Sequence, residues 1–317
     1  MSLKIIGMGH KLPRSNVSND MLKKFVDTSD EWIIARTGIR ERRICTDENI
    51  TDLASAAAEQ AVVNAGIDVS DIDLLIVATL GGDYRTPSLA CCVTERIGAC
   101  CAAFDINAAC TGFVYALETA SNYLTAGKAK NILIVCAERM SNLLDWSDRN
   151  TCILFGDGAA ACVVKHGDML KYSRLSVIPN TKSLYMPVST DSSPFERNPQ
   201  PTGFLHMQGQ EVFRFAVNVV DNEFKRALTE LSLTTEDFDY FILHQANKRI
   251  IDSARIKLKQ PSEKFPINIG RYGNLSSVSV PLVLSEMQQD GKLKPGTRLF
   301  VAAFGAGLTA GSCVLEF

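Results

Sequence analysis

The sequence predicts an α/β fold made of two similar units, because apolar strand-like runs alternate with helical stretches and the pattern repeats. The strand-like runs are LLIVATL (74–80), NILIVCAE (131–138), DYFILHQAN (239–247) and RLFVAAFG (298–305). Their high Val, Ile and Leu content indicates strands covered by helices on both faces. Between them, Val212, Phe215 and Val219 recur at helical spacing, which predicts a helix over 211–231.

The repeat is visible as residues 61–77 resembling residues 227–243. The matched residues, each 166 positions apart, are Asp71 with Asp237, Asp73 with Asp239 and Leu133 with Leu299. One spacing that recurs at distant places indicates a duplication. We therefore predict one unit over residues 1–165 and a second over residues 166–317.

The two units are expected to differ in one connection. The motif FGDG at 155–158 corresponds to FGAG at 304–307, but these motifs are only 149 residues apart. The first unit should therefore hold a longer excursion, which includes SNLLDWSDRNT. The connection between the units, 179–203, is rich in Pro, Ser and Asn and is predicted to be loop rather than core.

Composition excludes several function classes. The chain has 317 residues, of which 46% are apolar and 21% charged, and its net charge of −2 gives no sign of nucleic-acid binding. It shows no signal-peptide pattern and no apolar run of 18 residues, so we expect a cytoplasmic protein outside the membrane. The ten cysteines form no C-x-x-C motif and the four histidines do not cluster, so we expect reduced thiols and no metal or other cofactor.

Three residues at strand ends are candidates for catalysis, since sites in α/β folds form at the carboxyl ends of strands. Cys110 follows FDIN and precedes a helical stripe, a position at which the helix dipole favours the thiolate. His244 follows YFIL, and Asn274 lies in the turn RYGN. Each has an ordinary structural interpretation: a buried thiol, a structural histidine, a turn asparagine. The repeat, however, places the Cys110 and Asn274 turns in nearly corresponding positions, so the two loops should meet.

Six motifs, in order along the chain, resemble those of the β-ketoacyl-acyl carrier protein synthase III family of thiolase-fold condensing enzymes. They are DTSDEWIIARTGIRERR (27–43), AACTGFVYAL (108–117), DWSDRNTCILFGDGAAA (145–161), ILHQANKRII (242–251), YGN (272–274) and FGAGLTAG (304–311). The resemblance implies a five-layered αβαβα sandwich and a homodimer.

The resemblance also implies a Cys110, His244 and Asn274 triad. Cys110 would take the acyl group of an acyl-CoA primer, and malonyl-acyl carrier protein would then lose CO₂ to form an enolate. His244, as a neutral imidazole, and the Asn274 amide would stabilise that enolate. The backbone N–H groups of Cys110 and Gly305 would hold the second oxyanion.

Binding residues carry over from the family in the same way. Trp32 and Arg149 would sandwich the adenine of CoA, an arrangement that stacking and cation–π attraction explain. The remaining CoA and pantetheine contacts would be Thr28, Arg36, Gly209 and Asn247. Acyl carrier protein is acidic and would dock on the basic side chains of Arg214, Arg249 and Lys257.

The acyl pocket is assigned to Thr86 and Phe304. Thr86 stands where the family often has a bulky residue that reaches across the dimer, so we expect a roomier pocket. Other departures are GNLSSVSVP without a threonine after Asn274, Ala306 for a glycine and Ala310 for a tryptophan.

Three alternatives remain, and a true thiolase is disfavoured. A related condensing enzyme of polyketide or quinolone type would share the triad. A papain-like protease has the order Cys, His, Asn, but its C-G-S-C-W signature is absent here. A non-catalytic carrier-protein-binding subunit typically lacks the nucleophile. A true thiolase needs a second cysteine, and Cys313 falls in a strand-like run that is expected to be core.

Overall fold

The computed structural model describes residues 3–187, 195 and 203–317. The strands are β1 (Lys4–Lys11), β2 (Asn16–Ser18), β3 (Glu41–Arg43), β4 (Leu74–Ala78), β5 (Ala102–Ile106), β6 (Asn131–Arg139), β7 (Asp157–Lys165), β8 (Leu170–Asn180), β9 (Leu184–Tyr185), β10 (His206–Met207), β11 (Tyr240–Leu243), β12 (Arg298–Gly305) and β13 (Gly307–Glu316). The helices are α1 (Asn19–Leu22), α2 (Asp30–Thr37), α3 (Ile50–Ala65), α4 (Leu89–Ile97), α5 (Gly112–Thr125), α6 (Arg149–Cys152), α7 (Gly209–Leu231), α8 (Lys248–Leu258), α9 (Ile269–Tyr272) and α10 (Ser279–Gln289).

Two mixed sheets form the centre of the fold. The first has the order β1-β7-β6-β4-β5, and the second has the order β11-β12-β13-β8. In the first sheet β4 is parallel to both β5 and β6, whereas β7 is antiparallel to β6. In the second sheet β11 is parallel to β12, and β13 is antiparallel to β12.

Helices cover the sheets on the outside and also fill the space between them. Helices α3 and α4 pack on the outer face of the first sheet, and α7 and α8 pack on the outer face of the second. Helices α5 and α10 lie between the sheets and contact both. The predicted five-layered αβαβα sandwich is confirmed.

The alternation of side chains along β4 explains its continuous apolar sequence. Leu75 and Val77 point into the outer core with α3, whereas Ile76 and Ala78 point into the core between the sheets. A strand that is buried on both faces has no solvent-facing position for a polar residue. The same holds for β11, where Phe241 and Ile242 enter different cores.

The matched aspartates make matching contacts. Asp71 and Asp237 each cap a short 3₁₀ turn, through capping boxes with Asp68 and Thr234. Asp73 accepts hydrogen bonds from the backbone N–H groups of Lys130 and Asn131, and Asp239 accepts one from the backbone of Arg298. The predicted boundary at residue 165 falls where β7 ends, five residues before β8 begins; the division into two units stays our proposal.

The strand expected at YFIL is confirmed: β11 ends at Leu243, and Asn247 caps α8 with its side chain. One sequence prediction of local structure was wrong in part. The connection 179–203 is not loop throughout: β8 extends to Asn180, and β9 pairs with β10 with Leu184 buried. Most of the remainder, 188–194 and 196–202, lies outside the described residues. The longer excursion of the first unit is present as a 3₁₀ turn at Met140–Leu143 followed by α6.

Candidate active site

Cys110 lies in a 3₁₀ turn, Ala109–Thr111, between the end of β5 and the start of α5. Helix α5 begins at Gly112, where an added Cβ would lie 2.9 Å from the Cβ of Ala78. The absence of a side chain therefore lets the helix start close against β4. This close start places Cys110 at the carboxyl ends of β4 and β5, as the sequence predicted.

The Cys110 thiol is not activated in the way the helix dipole suggested. Burial raises the pKa of Cys110 to about 12, and a hydrogen bond with the Ser276 side chain only partly offsets this. Desolvation of the thiol therefore opposes the effect that the helix position was expected to have. A thiol that is protonated at neutral pH needs a group that accepts its proton when it reacts.

Gly305, at the end of β12, lies directly against the Cys110 turn. A Cβ built on Gly305 would lie 2.8 Å from the backbone nitrogen of Cys110 and 3.1 Å from its Cβ. Only a glycine permits this approach of the two backbones. The arrangement brings residues 110 and 305 side by side, from opposite halves of the chain.

His244 follows β11 and is 1% exposed. Its backbone N–H donates to the carbonyl of Ala302 at 2.9 Å, and its ring packs edge-on against Phe304 with centroids 5.3 Å apart. Burial lowers the pKa of His244 to about 3, so the ring is neutral near pH 7. Its Nδ1 atom has no hydrogen-bond partner among the described residues.

Asn274 is held by the backbone on both sides of it. Its N–H donates to the Leu154 carbonyl at 2.8 Å, and its own carbonyl accepts from Gly156 at 3.1 Å. The side-chain oxygen Oδ1 accepts from the backbone N–H of Ser276 at 2.8 Å. A backbone N–H can only donate, so this bond fixes the amide orientation and leaves Nδ2 to donate elsewhere.

Glu138 and Ser276 adjoin this site, and neither was among the site residues predicted from the sequence. Glu138, near the end of β6, is 1% exposed and accepts from the hydroxyls of Ser276 (3.0 Å) and Ser277 (2.8 Å). The Leu80 backbone N–H donates to its other oxygen at 3.0 Å. Burial raises the pKa of Glu138 to about 7. A carboxylate that ends the apolar run NILIVCAE was the sequence signal that could have identified it.

A cavity of about 930 Å³ opens beside Cys110. Its walls are mainly apolar and include Met140, Leu143, Leu184, Leu205 and Ala306. Arg85 and Ser276 also line the cavity. Of the two residues predicted for the acyl pocket, Thr86 follows the lining residue Arg85 in sequence, and Phe304 packs on the His244 ring. The roles of Thr86 and Phe304 in an acyl pocket stay predictions.

Four of the residues expected to bind CoA, namely Trp32, Arg36, Arg149 and Asn247, contact one another. The Arg149 guanidinium is 4.6 Å from the centroid of the Trp32 ring, and the Arg36 guanidinium is 5.5 Å from it. Asn247 donates from Nδ2 to the Arg36 carbonyl at 3.1 Å, which joins α8 to α2. The Thr28 hydroxyl oxygen is buried and has no hydrogen-bond partner among the described residues.

Gly209 begins α7 and is exposed, and an added Cβ there would meet only the end of Met207, at 3.9 Å. The basic residues expected at a docking surface are also exposed. Arg249 lies over the Phe213 ring at 5.4 Å, next to Arg214 on α7. Lys257 is eight residues further along α8, which corresponds to about 12 Å.

Within the part of the chain that the structure describes, no three His, Cys, Asp or Glu side chains are grouped to hold a metal ion. The described helices include none that combines the length and the apolar character needed to span a bilayer.

Cys110 lies at the start of a helix between two similar sheets, and the buried His244 and Asn274 come from the second half of the chain. This arrangement is that of a thiolase-fold condensing enzyme. Residues 104–179 match the model of the family 3-oxoacyl-[acyl-carrier-protein] synthase III, and residues 228–317 match the model of its C-terminal region. The chain belongs to this family of acyltransferases, as its motifs predicted.

Individual relatives agree with this assignment over the full length. The β-ketoacyl-[acyl-carrier-protein] synthase III of Clostridium acetobutylicum is 46% identical over 321 residues, which cover 100% of this chain and 99% of the relative. The crystal structure of 3-oxoacyl-[acyl-carrier-protein] synthase III from Aquifex aeolicus superposes with a TM-score of 0.92 at 41% identity, covering 99% and 100%. The priming β-ketosynthase of the R1128 polyketide pathway superposes with a TM-score of 0.91 at 35% identity, covering 99% and 96%.

Proposed function

We propose that this protein starts fatty-acid synthesis by joining an acyl-CoA primer to malonyl-acyl carrier protein. The observation that carries the proposal is the position of Cys110, between the Gly305 backbone and the apolar cavity of about 930 Å³. A nucleophile there faces a space for an acyl chain on one side and two backbone segments on the other. Its acyl-enzyme would be held away from bulk water.

In the first half-reaction the Cys110 sulfur attacks the carbonyl carbon of the acyl-CoA thioester. Negative charge develops on the carbonyl oxygen, and the backbone N–H groups of Cys110 and Gly305 are proposed to stabilise it. The intermediate then expels CoA as a thiolate and leaves the acyl group on the sulfur. The close backbone contact between residues 110 and 305 supports this assignment.

In the second half-reaction malonyl-acyl carrier protein loses CO₂, and its thioester oxygen becomes an enolate oxygen. His244 and Asn274 are proposed to donate hydrogen bonds to this oxygen. The neutral state of His244 and the free Nδ2 of Asn274 support these roles. The enolate carbon then attacks the acyl-cysteine and forms β-ketoacyl-acyl carrier protein.

CoA is proposed to enter past Trp32, with its adenine between Trp32 and Arg149. In this structure the guanidinium of Arg149 lies directly on the indole, so it would move aside to admit the purine. The pantetheine arm would then pass Thr28, Arg36, Gly209 and Asn247. The unpartnered hydroxyl of Thr28 supports a contact to this arm.

Acyl carrier protein is proposed to dock on Arg214, Arg249 and Lys257, which are exposed cations on neighbouring helices. A homodimer is proposed through β5, which lies at the edge of the first sheet. Each of the ten cysteines, all within the described residues, is a free thiol, which fits the reducing cytoplasm. We propose that the reaction uses no metal or other cofactor, since the side chains of Cys110, His244 and Asn274 and the backbone N–H groups can supply the nucleophile and the hydrogen-bond donors that it needs.

The similarity to the R1128 priming ketosynthase supports a second candidate, the priming of a polyketide pathway. Both candidates use the same first half-reaction and differ in the carrier protein that accepts the chain. The polyketide candidate would use a dedicated carrier protein and would react poorly with that of fatty-acid synthesis.

The test is a turnover assay with acetyl-, isobutyryl- or octanoyl-CoA and malonyl-acyl carrier protein, in which mass spectrometry detects the β-ketoacyl product. We expect product to form with the fatty-acid carrier protein and to disappear when the primer is omitted. Product with a polyketide carrier protein alone would instead support the second candidate. Product formation from acyl-acyl carrier protein alone would contradict acyl-CoA as the primer.

A further inference from the structure

We infer that Glu138, acting through the Ser276 hydroxyl, accepts the proton of Cys110 during acyl transfer and returns it after condensation. The inference concerns the same site as the proposed function and rests on it for the second step. Ser276 lines the cavity beside Cys110, and Glu138 is a positioning residue that acts through Ser276. Neither residue follows from the Cys110, His244 and Asn274 triad.

The triad leaves the proton of the thiol without an acceptor. The thiol is protonated near neutral pH, because burial raises the pKa of Cys110 to about 12. His244 is a weak base, because burial lowers the pKa of its imidazole to about 3. A second group with a pKa nearer to neutral is therefore needed for efficient transfer.

Ser276 bridges the sulfur and a carboxylate. Ser276 and Cys110 lie on two 3₁₀ turns that contact each other and line the same cavity, and the Ser276 hydroxyl lies 3.0 Å from Oε1 of Glu138. A hydroxyl can accept one proton while it donates its own, so it can pass a proton between the two groups. Ser276 is fixed for this task, because its backbone N–H is bonded to Asn274 and its φ is 50°.

Glu138 has the surroundings of a proton acceptor. Three donors hold its carboxylate, namely the Ser276 and Ser277 hydroxyls and the Leu80 backbone N–H. The titratable groups that face it are the thiols of Cys110 and Cys136, and opposite it on β7 is Gly158. Desolvation by burial is the largest cause of the shift, and it raises the pKa of Glu138 to about 7.

The proton balance closes over one turnover. In acyl transfer the sulfur forms a bond to the acyl carbon, the Cys110 proton moves to Ser276, and the Ser276 proton moves to Glu138. CoA leaves as a thiolate and takes a proton from water. In condensation the acyl–sulfur bond breaks and leaves a Cys110 thiolate. Glu138 then returns its proton through Ser276, and both groups regain their starting states.

The test measures how fast iodoacetamide alkylates Cys110 between pH 5.5 and pH 9.5, with peptide mass spectrometry to follow Cys110 separately. The exposed thiols of Cys91 and Cys100 in the same chain serve as internal standards for reagent and pH. Alkylation needs neither CoA nor a carrier protein. Its outcome is therefore independent of whether acyl-CoA is the true donor.

We expect the wild-type rate at Cys110 to rise through an apparent pKa near 7 and then level off. Glu138→Gln keeps an acceptor for the Leu80 N–H and presents an amide NH₂ to which the serine hydroxyls can act as acceptors. It should remove this rise and lower the rate at pH 7.5 on the order of 10²-fold. Glu138→Asp should keep the rise with a shifted midpoint. Ser276→Ala should behave as Glu138→Gln does.

Ser277→Ala is the matched control, because Ser277 also donates to Glu138 but is not the bridge to the sulfur. It should keep the rise, moved to somewhat higher pH by the loss of one donor to the carboxylate. A rate that is lower at every pH in Glu138→Gln, with the rise still present, would show a structural role and overturn the inference. Loss of the rise in Glu138→Gln but not in Ser276→Ala would overturn the relay.

Discussion

The turn that begins at Ala109 and the turn that begins at Ser276 occupy nearly equivalent places in the proposed repeat, yet they present different groups. Each starts with a non-glycine residue of positive φ, 47° at Ala109 and 50° at Ser276, and each leads into a helix between the sheets. The first turn presents a thiol to the cavity, and the second presents a hydroxyl. The comparison indicates that the repeated backbone brings the two turns together, whereas single side chains decide their chemistry.

The two sheets also differ in what surrounds these turns. The first sheet has a fifth strand, β5, which leads directly to Cys110, and an excursion between β6 and β7 that supplies Met140 and Leu143 to the cavity. In the second sheet β12 and β13 join within three residues, at 305–307. The short join places Gly305 against Cys110. The second half therefore contributes backbone and polar groups, and the first contributes the nucleophile and much of the acyl space.

The largest effect should come from separating the two half-reactions. Asn274→Ala removes the Nδ2 donor proposed for the enolate, so the condensation rate should fall on the order of 10²- to 10³-fold. Acylation of Cys110 should remain measurable, because the first oxyanion uses other donors. The two rates are measured by single-turnover mass spectrometry. Asn142→Ala, at an exposed asparagine beside the cavity, is the control and should leave both rates within a few-fold.

Gly305→Ala should impair the opposite half-reaction. A Cβ at 305 would lie 2.8 Å from the Cys110 nitrogen, so the two backbones must separate and the oxyanion contacts weaken. We expect acylation to slow by about 10²-fold. Gly81→Ala is the control, since nothing lies within 4 Å of a Cβ there. Equal acylation rates in Gly305→Ala and wild type would contradict the proposed role of this backbone.

Glu138 and His244, from the two halves of the chain, should make the free energy of unfolding depend on pH in opposite directions. The folded-state pKa of Glu138, about 7, is above its unfolded value, so stability falls as pH rises through about 7. The folded-state pKa of His244, about 3, is below its unfolded value of 6.5, so stability is lost as pH falls below about 6.5. Urea unfolding of Glu138→Gln and His244→Asn at several pH values measures each slope by difference from wild type. A Glu138→Gln difference that is independent of pH would contradict the raised pKa.

The smallest effects should come from the matched aspartates. Asp73→Ala removes an acceptor for two backbone N–H groups, and Asp239→Ala removes an acceptor for one. Each partly exposed bond contributes about 1 kcal/mol, so Asp73→Ala should destabilise more. Urea unfolding gives the free energies. A larger loss for Asp239→Ala would contradict this ranking by the number of hydrogen bonds.

Much of this arrangement could be predicted because it depends on local patterns. The apolar runs defined the strands, and the turn motifs placed Cys110, His244 and Asn274 at strand ends. The contact of Glu138 with Ser276 could not be predicted, since it joins residues 138 positions apart through packing of the two halves. Desolvation of the thiol could not be predicted for the same reason: the helix position is a local feature, but the surrounding layers of the fold are not.

The most direct measurement of the central claim is intact-mass spectrometry after incubation with acetyl-, isobutyryl- and octanoyl-CoA, on wild type and Cys110→Ser. We expect a mass increase of one acyl group in wild type, which hydroxylamine releases, and none in the variant. An acyl adduct that persists in Cys110→Ser, or no adduct with any primer, would contradict the assignment of Cys110 as the acceptor of the primer.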